Sequence, residues 1–172
     1  MSANEELQEH AHHAQEPFDK KVAVSMAIIA AILATVSVFA HVLSNEELLA
    51  QQQSSDQYAF YQAKSIRRYA SDIARDTFKA MGKEAETETY TKNAERYQKE
   101  GEEILKEADH LKAESTLRGK QSFRMEGGEV FLELGIVFAS LAILSKRRPI
   151  WVASILCAMV GVAISLTAAF VT

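Results

Sequence analysis

The chain of 172 residues contains one cysteine and two prolines. Cys157 lies in an apolar stretch, so a single chain can form neither an internal disulfide nor a metal cage built from cysteines. We interpret Cys157 as a small residue that faces lipid or another helix. No proline occurs between Pro17 and Pro149, and this permits long helices without a break across the intervening sequence.

Recognisable catalytic patterns are missing as well. The sequence has no nucleotide-binding glycine loop, no nucleophile elbow and no zinc-hydrolase helix, so we predict no enzymatic activity and no cofactor. No part is basic enough to indicate a nucleic-acid-binding surface. The net charge of −4 hides a partition, because residues 44–128 hold 14 of the 19 Lys and Arg and 16 of the 23 Asp and Glu. Two apolar regions therefore flank one very polar region.

The apolar regions are long enough to cross a bilayer. Residues 22–43 and 150–171 contain no Lys, Arg, Asp or Glu, and as helices each would span about 33 Å, the thickness of a hydrocarbon core. A third stretch, 128–145, carries two glutamates and ends at a basic turn. We predict an all-α integral membrane protein with three transmembrane helices and an extramembrane antiparallel coiled-coil hairpin. The predicted order is a polar N-terminal tail (1–21), a transmembrane helix (22–43), a helical hairpin (44–127), a second transmembrane helix (128–145), a basic turn (146–149) and a third transmembrane helix (150–171).

The orientation follows from the cations at the ends of these spans. Lys20 and Lys21 precede the first span, and residues 146–148 (Lys-Arg-Arg) separate the second from the third. Cytoplasmic loops carry an excess of Lys and Arg. We therefore predict that the N-terminus and the basic turn are cytoplasmic and that the hairpin is extracytoplasmic.

The polar region carries a heptad pattern in each half, which predicts two helices that pack along a seam. We expect a helix over 46–81 and a returning helix over 86–117, with the turn at Gly82 and hydroxyl N-caps between Thr87 and Thr91. Residues 118–128 contain three glycines and are predicted to be a non-helical return to the membrane. The seam is predicted to comprise Ala59, Ala63, Ile66, Ala70, Ile73, Thr77 and Ala80 in the first arm and Tyr90, Ala94, Tyr97, Gly101, Ile104, Ala108, Leu111 and Ser115 in the second.

Two segments resemble a bacterial group of small membrane proteins known as a domain of unknown function (family 4337). They are Pro17-Phe18 followed by Lys20-Lys21-Val22, and the stretch DQYAFYQAKSI at residues 56–66. The resemblance covers essentially the whole chain. It implies the three-span layout, and it brings no assigned activity and no catalytic residues. We predict a location in the bacterial inner membrane.

Polar residues within the spans are the best candidates for a chemical role. A carboxylate inside a membrane segment is costly and indicates a functional site. Glu129 and Glu133 lie four residues apart on one helical face, and we expect His41 at a similar depth, where it could form a proton-sensitive pair with either glutamate. The alternative is that all three are hydrated at the interface. His10, His12 and His13 form a weak metal-like cluster, which we interpret as adventitious binding by the N-terminal tail.

Small residues recur every four positions in the spans, and such faces allow close approach of helices in lipid. They predict packing within one bundle or between protomers, and we favour a homo-oligomer. The residues concerned are Ala153, Cys157, Gly161, Ser165 and Ala169 in the third span, Ala23, Ala27, Ala31 and Thr35 in the first, and Gly135 and Ala139 in the second.

These patterns predict a non-enzymatic structural or interaction protein that self-associates through its hairpin and its small-residue faces, or docks a protein partner on residues 44–127. One alternative is an oligomeric ion channel or proton-linked transporter that uses Glu133 and His41. The third span offers few polar residues and an apolar middle, which disfavours a permanent water-filled pore. A membrane sensor is a further alternative, without a recognisable output domain.

Overall fold

The computed structural model describes residues 17–171, and within them the chain forms three α-helices and no strand. Helix α1 is Pro17–Ala80, α2 is Glu84–Ser145 and α3 is Arg148–Thr167, followed by a 3₁₀ turn at Ala168–Phe170. The helical fold class is therefore as predicted, but α1 and α2 each continue through a predicted segment boundary.

The predicted non-helical return at 118–128 is wrong, because α2 is helical throughout this segment. A glycine inside a helix costs about 1 kcal/mol relative to alanine. At Gly128 close packing offsets that cost, since a Cβ atom there would lie 2.0 Å from Ser165 Oγ. This glycine marks a contact between helices and not the end of one.

Gly82 forms the turn between α1 and α2, as predicted. Its φ of 70° lies in the left-handed region, which glycine adopts without a side-chain penalty, and the Lys83 N–H donates to the Phe78 carbonyl at 3.0 Å. The threonines predicted as N-caps have another role. Thr87 Oγ1 donates to the Lys83 carbonyl at 2.7 Å and Thr91 Oγ1 to the Thr87 carbonyl at 2.8 Å, so both hydroxyls bond backward along α2.

Within the described residues, two compact units make up the fold: one is formed by residues 17–44 together with 119–171, and the other by Asn45–Arg118. In the first unit, segments of all three helices surround small clusters of buried apolar side chains. In the second unit, segments of α1 and α2 pack antiparallel. The clusters of the first unit are Val22 with Ala139 and Ala142, and Ile29 with Leu132 and Ala158.

All three helices are long and apolar enough to cross a membrane. Only 11%, 28% and 22% of the most apolar stretches of α1, α2 and α3 are buried within the protein. Most of this apolar surface therefore points outward, as a hydrocarbon solvent allows and water does not. The basic turn is short, with Lys146 at φ 55° and Pro149 in the first turn of α3.

Candidate interaction surface and intramembrane polar residues

The α2 segment of the 45–118 unit presents small residues to α1. Ala94, Gly101, Ala108 and Ser115 are buried, and the larger predicted seam residues between them, Tyr97, Ile104 and Leu111, are half-buried. Gly101 lies against Tyr61 of α1, since a Cβ atom there would be 3.6 Å from the ring. The returning arm thus faces its partner with the residues that the heptad pattern selects.

Polar bonds across the two arms fix their register. Ser54 Oγ donates to the Ala108 carbonyl at 2.9 Å, and the Tyr58 hydroxyl donates to the Asp109 carboxylate at 2.6 Å. Further along, Lys64 forms an ion pair with Glu100. Each bond joins a residue of α1 to one of α2, so a one-residue shift would break all of them together.

The face of α1 that contacts α2 is mainly polar. It repeats at heptad spacing, and Tyr61 and the stem of Lys64 lie against Gly101 of α2 while the Lys64 ammonium bonds across the pair to Glu100. The two arginines of the row pair with carboxylates of α1 itself. Phe78, at the end of this row, stacks on Tyr90 with ring centroids 5.4 Å apart. The buried and half-buried residues of the row are Ala50, Ser54, Gln57, Tyr61, Lys64, Arg68, Ser71, Arg75 and Phe78.

The apolar heptad of α1 points away from α2, which differs from the sequence prediction. Ile66 is 68% and Ile73 69% exposed, and Ala70 between them is exposed too. The two arms contact each other along one face of α1, and the cross-arm bonds of Ser54 and Lys64 identify that face as the polar row. We define the outer face of α1 as the remaining heptad row, all of it exposed: Ala59, Ala63, Ile66, Ala70, Ile73, Thr77 and Ala80.

The cross-arm bonds also shift ionisation in this unit. The hydrogen bond and charge of Lys64 lower the pKa of the Glu100 carboxyl from its ordinary value. The bond to Asp109 raises the pKa of the Tyr58 hydroxyl above its ordinary value, since ionised Tyr58 would lose that donor and face a carboxylate. Both shifts favour the protonation states that bond across the arms near neutral pH.

In the membrane-spanning unit, which comprises residues 17–44 and 119–171, α2 and α3 approach each other closely at their glycines. A Cβ atom at Gly161 would lie 2.7 Å from the Gly128 carbonyl oxygen, and one at Gly135 would lie 3.1 Å from the Ser154 carbonyl oxygen. Gly161 and Ser165 are buried as the small-residue pattern suggests, whereas Ala153 and Cys157 are half-buried and Ala169 is exposed. A strict four-residue repeat drifts around a helix of 3.6 residues per turn. The buried row of α3 alternates between steps of four and three: Ser154, Ala158, Gly161, Ser165 and Ala168.

The small residues of α1 lie on its outside. Ala23, Ala27, Ala31 and Thr35 are all exposed, whereas Ala139 of α2 is fully buried. Other apolar side chains of α1, such as Val22 and Ile29, make the contacts with α2 and α3. The bundle therefore leaves the small face of α1 open for close approach by another helix.

Glu129 and Glu133 lie on α2 beside the middle of the bundle. Glu129 is half-buried and Glu133 is exposed, and within residues 17–171 neither makes a hydrogen bond or an ion pair. Leu132, next to Glu133, packs against Ile29 of α1 and Ala158 of α3. Glu133 thus lies at the level of apolar residues well inside the other two spans.

His41 does not meet either glutamate. It follows Ile29 by twelve residues on α1, which is about 18 Å along the helix axis, and its Nδ1 lies 2.8 Å from the Ser37 carbonyl oxygen. The expected His41–Glu133 and His41–Glu129 pairs are therefore absent from this structure. The expectation assumed that the second span starts at residue 128, but α2 continues as a helix on both sides of that residue.

The candidate metal cluster His10, His12 and His13 lies outside the described residues. Among residues 17–171, no group of three or more His, Cys, Asp or Glu side chains could hold a metal ion.

A family comparison agrees with the resemblance noted in the sequence. The family model described as "Domain of unknown function (DUF4337)" matches residues 18–171. The chain belongs to this family. Neither a curated protein nor a solved structure matches the chain. Family membership assigns no activity, so no residue of this DUF4337 protein acquires a role from it.

Sequence reasoning missed the polar row of α1 that contacts α2. Apolar periodicity directs attention to Ile66 and Ile73 and leaves Ser54, Tyr58 and Lys64 outside the predicted seam. A usable signal exists, because Tyr58 and Lys64 find Asp109 and Glu100 when the two arms are aligned about Gly82. Pairing the arms by charge and hydrogen bonding would have found the contact.

Proposed function

We propose that this protein is a non-enzymatic membrane protein that self-associates through the outer face of α1, so that hairpins from different copies form one coiled-coil bundle. The observation that carries the proposal is the exposure of an apolar heptad, centred on Ile66 and Ile73, in the polar part of the chain. Burying each isoleucine side chain is worth about 1.5–3 kcal/mol. In water, such a row is a surface that favours association.

A second copy of the chain fits this face better than an unrelated partner. Copies inserted in one membrane run in the same direction, so a parallel contact sets Ile66 against Ile66 and Ile73 against Ile73. Ala63, Ala70 and Thr77 alternate with these isoleucines and let the backbones approach. β-Branched residues at alternate seam positions suit bundles of parallel helices. The exposed Ala23, Ala27, Ala31 and Thr35 of α1 offer a further close contact in lipid.

We further propose a bacterial inner membrane, with the N-terminus cytoplasmic and residues 44–127 extracytoplasmic. The ion pair between Lys146 and Asp19 supports this orientation, because it joins the basic turn to the start of α1. The cations that precede α1 and those that precede α3 then share one side, as the positive-inside rule requires. Reporter fusions at Gly82 and after residue 172 should both report from the extracytoplasmic side, and cytoplasmic signals from both would overturn the orientation.

The self-association is tested by the mass of the full chain in mild detergent and by crosslinking in native membranes. The protein mass of the wild type should be that of two or more chains of 19.1 kDa. Combining Ile66→Gln with Ile73→Gln should weaken association at least about tenfold, while insertion is kept. Two matched variants test whether association uses the outer face of α1. Ala70→Gln, on that face, should weaken association, whereas Ala113→Gln, at an exposed position of α2, should not. A monomeric wild-type mass would overturn the proposal.

A proton-linked transport activity is the second candidate, and the position of Glu133 favours it. An exposed carboxylate at the level of Ile29 and Ala158 would lie in an oligomer interface or in lipid. In liposomes, proton flux that falls on Glu133→Gln and persists on His41→Ala would support this candidate. Flux indifferent to Glu133→Gln, or no flux, would remove it.

A further inference from the structure

A groove opens on the surface of the membrane-spanning unit where α1 meets the start of α3. Its lining is almost wholly apolar, and Lys20 and Lys21 contribute their alkyl stems to the end near the start of α1. Lys20, Val24 and Ile28 follow one another at four-residue steps, and therefore on one side of the helix. The full lining is Lys20, Lys21, Val24, Ser25, Ile28 and Trp151.

Hydrogen bonds hold the wall of this groove in place. The Trp151 indole N–H donates to Ser25 Oγ at 3.0 Å, and Ser25 Oγ donates to the Val22 carbonyl at 2.8 Å. Phe18 packs edge-on against Trp151, with ring centroids 6.3 Å apart. The indole is thereby fixed beside Val24 and Ile28, which are both exposed.

Among residues 17–171, the side chains at this end of the bundle carry mainly positive charge. Lys20, Lys21, Arg147 and Arg148 are exposed and make no ion pair within residues 17–171. Asp19 is the nearby carboxylate of this part of the chain, and it is paired with Lys146. An anion that approaches Lys20 and Lys21 therefore meets little competition from described carboxylates.

We infer that this groove binds an anionic phospholipid. The phosphate of the headgroup lies at Lys20 and Lys21, and one acyl chain follows Val24, Ile28 and the Trp151 ring. Each part of the ligand meets the matching part of the groove, since basic groups at the edge of a bilayer attract anionic headgroups and aromatic rings rest at the interface. A soluble phosphate would leave the apolar groove empty. This site is independent of self-association by the hairpin.

Trp151 reports on the site directly, because it is the only tryptophan in the chain. The full-length protein is reconstituted in phosphatidylcholine vesicles, and a low fraction of the lipid is replaced by brominated phosphatidylglycerol or by brominated phosphatidylcholine. Bromine on the acyl chain quenches indole fluorescence at close contact. We expect stronger quenching by the phosphatidylglycerol at equal mole fraction. Equal quenching by both lipids would overturn the inference.

Variants separate a built site from general attraction. Combining Lys20→Gln with Lys21→Gln should reduce the preference for phosphatidylglycerol about fivefold for each lysine. Combining Arg147→Gln with Arg148→Gln removes equal charge from the same end but outside the lining, and should largely keep the preference. If both double variants lost the preference for phosphatidylglycerol equally, the preference would come from the overall charge at this end of the bundle and not from the groove. That result would overturn the inference.

The apolar half of the site has its own test. Val24→Phe fills the groove and keeps all cations, so it should also lose the preference while eluting as a folded protein. Retention of the full preference in Val24→Phe would overturn the role of the groove. Inorganic phosphate added to the vesicles should not reverse the quenching, and reversal would identify a soluble-anion site in place of the lipid site.

Discussion

Gly128 of α2 and Gly161 of α3 exclude a side chain from each other. A Cβ atom at Gly128 would lie 2.6 Å from the Gly161 carbonyl oxygen, and one at Gly161 would lie 2.7 Å from the Gly128 carbonyl oxygen. Because the blocking atoms belong to the backbone, rotation of a side chain cannot relieve the contact. The two backbones therefore touch, and the dispersion attraction between them holds α2 to α3 in a solvent that gives helices little hydrophobic reason to associate.

Gly128→Ala should destabilise the bundle by about 1–3 kcal/mol, the usual cost of overpacking. Gly127→Ala is the matched control, because a Cβ atom there meets only Ile164 Cγ2 at 3.8 Å, an ordinary contact. Alanine should stabilise the helix at that position by up to about 1 kcal/mol. Heating in mild detergent, followed by measurement of the fraction that still elutes as folded protein, compares the two variants. Equal midpoints for both would contradict the role given to the Gly128–Gly161 contact.

Ser165→Ala tests whether the Ser165 side chain or the Gly161 backbone excludes alanine from position 128. The mutation removes the hydroxyl that lies 2.0 Å from a Cβ atom at Gly128, but leaves the Gly161 carbonyl in place. It should therefore rescue Gly128→Ala only in part, in the same heating assay. Full rescue would mean that the backbones can separate at small cost, and that the hydroxyl alone forbids alanine.

Acidification should weaken the hairpin through Glu100. Lys64 lowers the pKa of Glu100 in the folded protein from its ordinary value of 4.5, so the unfolded state binds the proton more readily. The stabilisation is present above about pH 4.5 and is lost as the pH falls through the folded value. In the heating assay, the thermal midpoint of full-length Glu100→Gln should fall less between pH 7 and pH 4 than the thermal midpoint of the wild type. Equal falls would show that the Lys64–Glu100 pair contributes nothing measurable.

The stability of the hairpin at high pH should depend on Tyr58. Its pKa is raised above 10.0 by the hydrogen bond to Asp109, so the neutral hydroxyl stabilises the folded state. That contribution is present below about pH 10 and is lost as the pH rises through the folded value. The difference between the ultraviolet titrations of the wild type and Tyr58→Phe gives the titration of the Tyr58 hydroxyl. Asp109→Asn should lower the pKa of this hydroxyl. An unchanged titration in Asp109→Asn would contradict the assigned bond.

The sequence was sufficient for the all-helical class, for the three apolar spans, for the turn at Gly82 and for the face that the returning arm presents, because apolar and small residues mark them. It was insufficient for the rotation of α1 within the hairpin. That helix carries two heptad rows, and the choice between them depends on partners fifty residues away, such as Asp109 for Tyr58. The glycines of 118–128 were misread for a similar reason. The low helix propensity of these glycines is visible in the sequence. The contact that offsets it at Gly128 is made with α3, which lies far away in the sequence.

Disulfide trapping in a Cys157→Ala background tests whether His41 and Glu133 lie at different depths in the bundle. Lys64→Cys with Gly101→Cys should oxidise to an intramolecular disulfide, because a Cβ atom at Gly101 of α2 would lie 3.9 Å from Lys64 Cβ of α1, a separation that a disulfide bridges. His41→Cys with Glu133→Cys should not, because the register of α1 and α2 separates these positions by about 18 Å along the helix axis, far beyond the Cα separation that a disulfide bridges. Oxidation in detergent, followed by gel mobility with and without reductant, compares the two pairs. Efficient trapping of the 41–133 pair would restore His41 as a partner of Glu133 and overturn the register of α1 and α2 in the bundle.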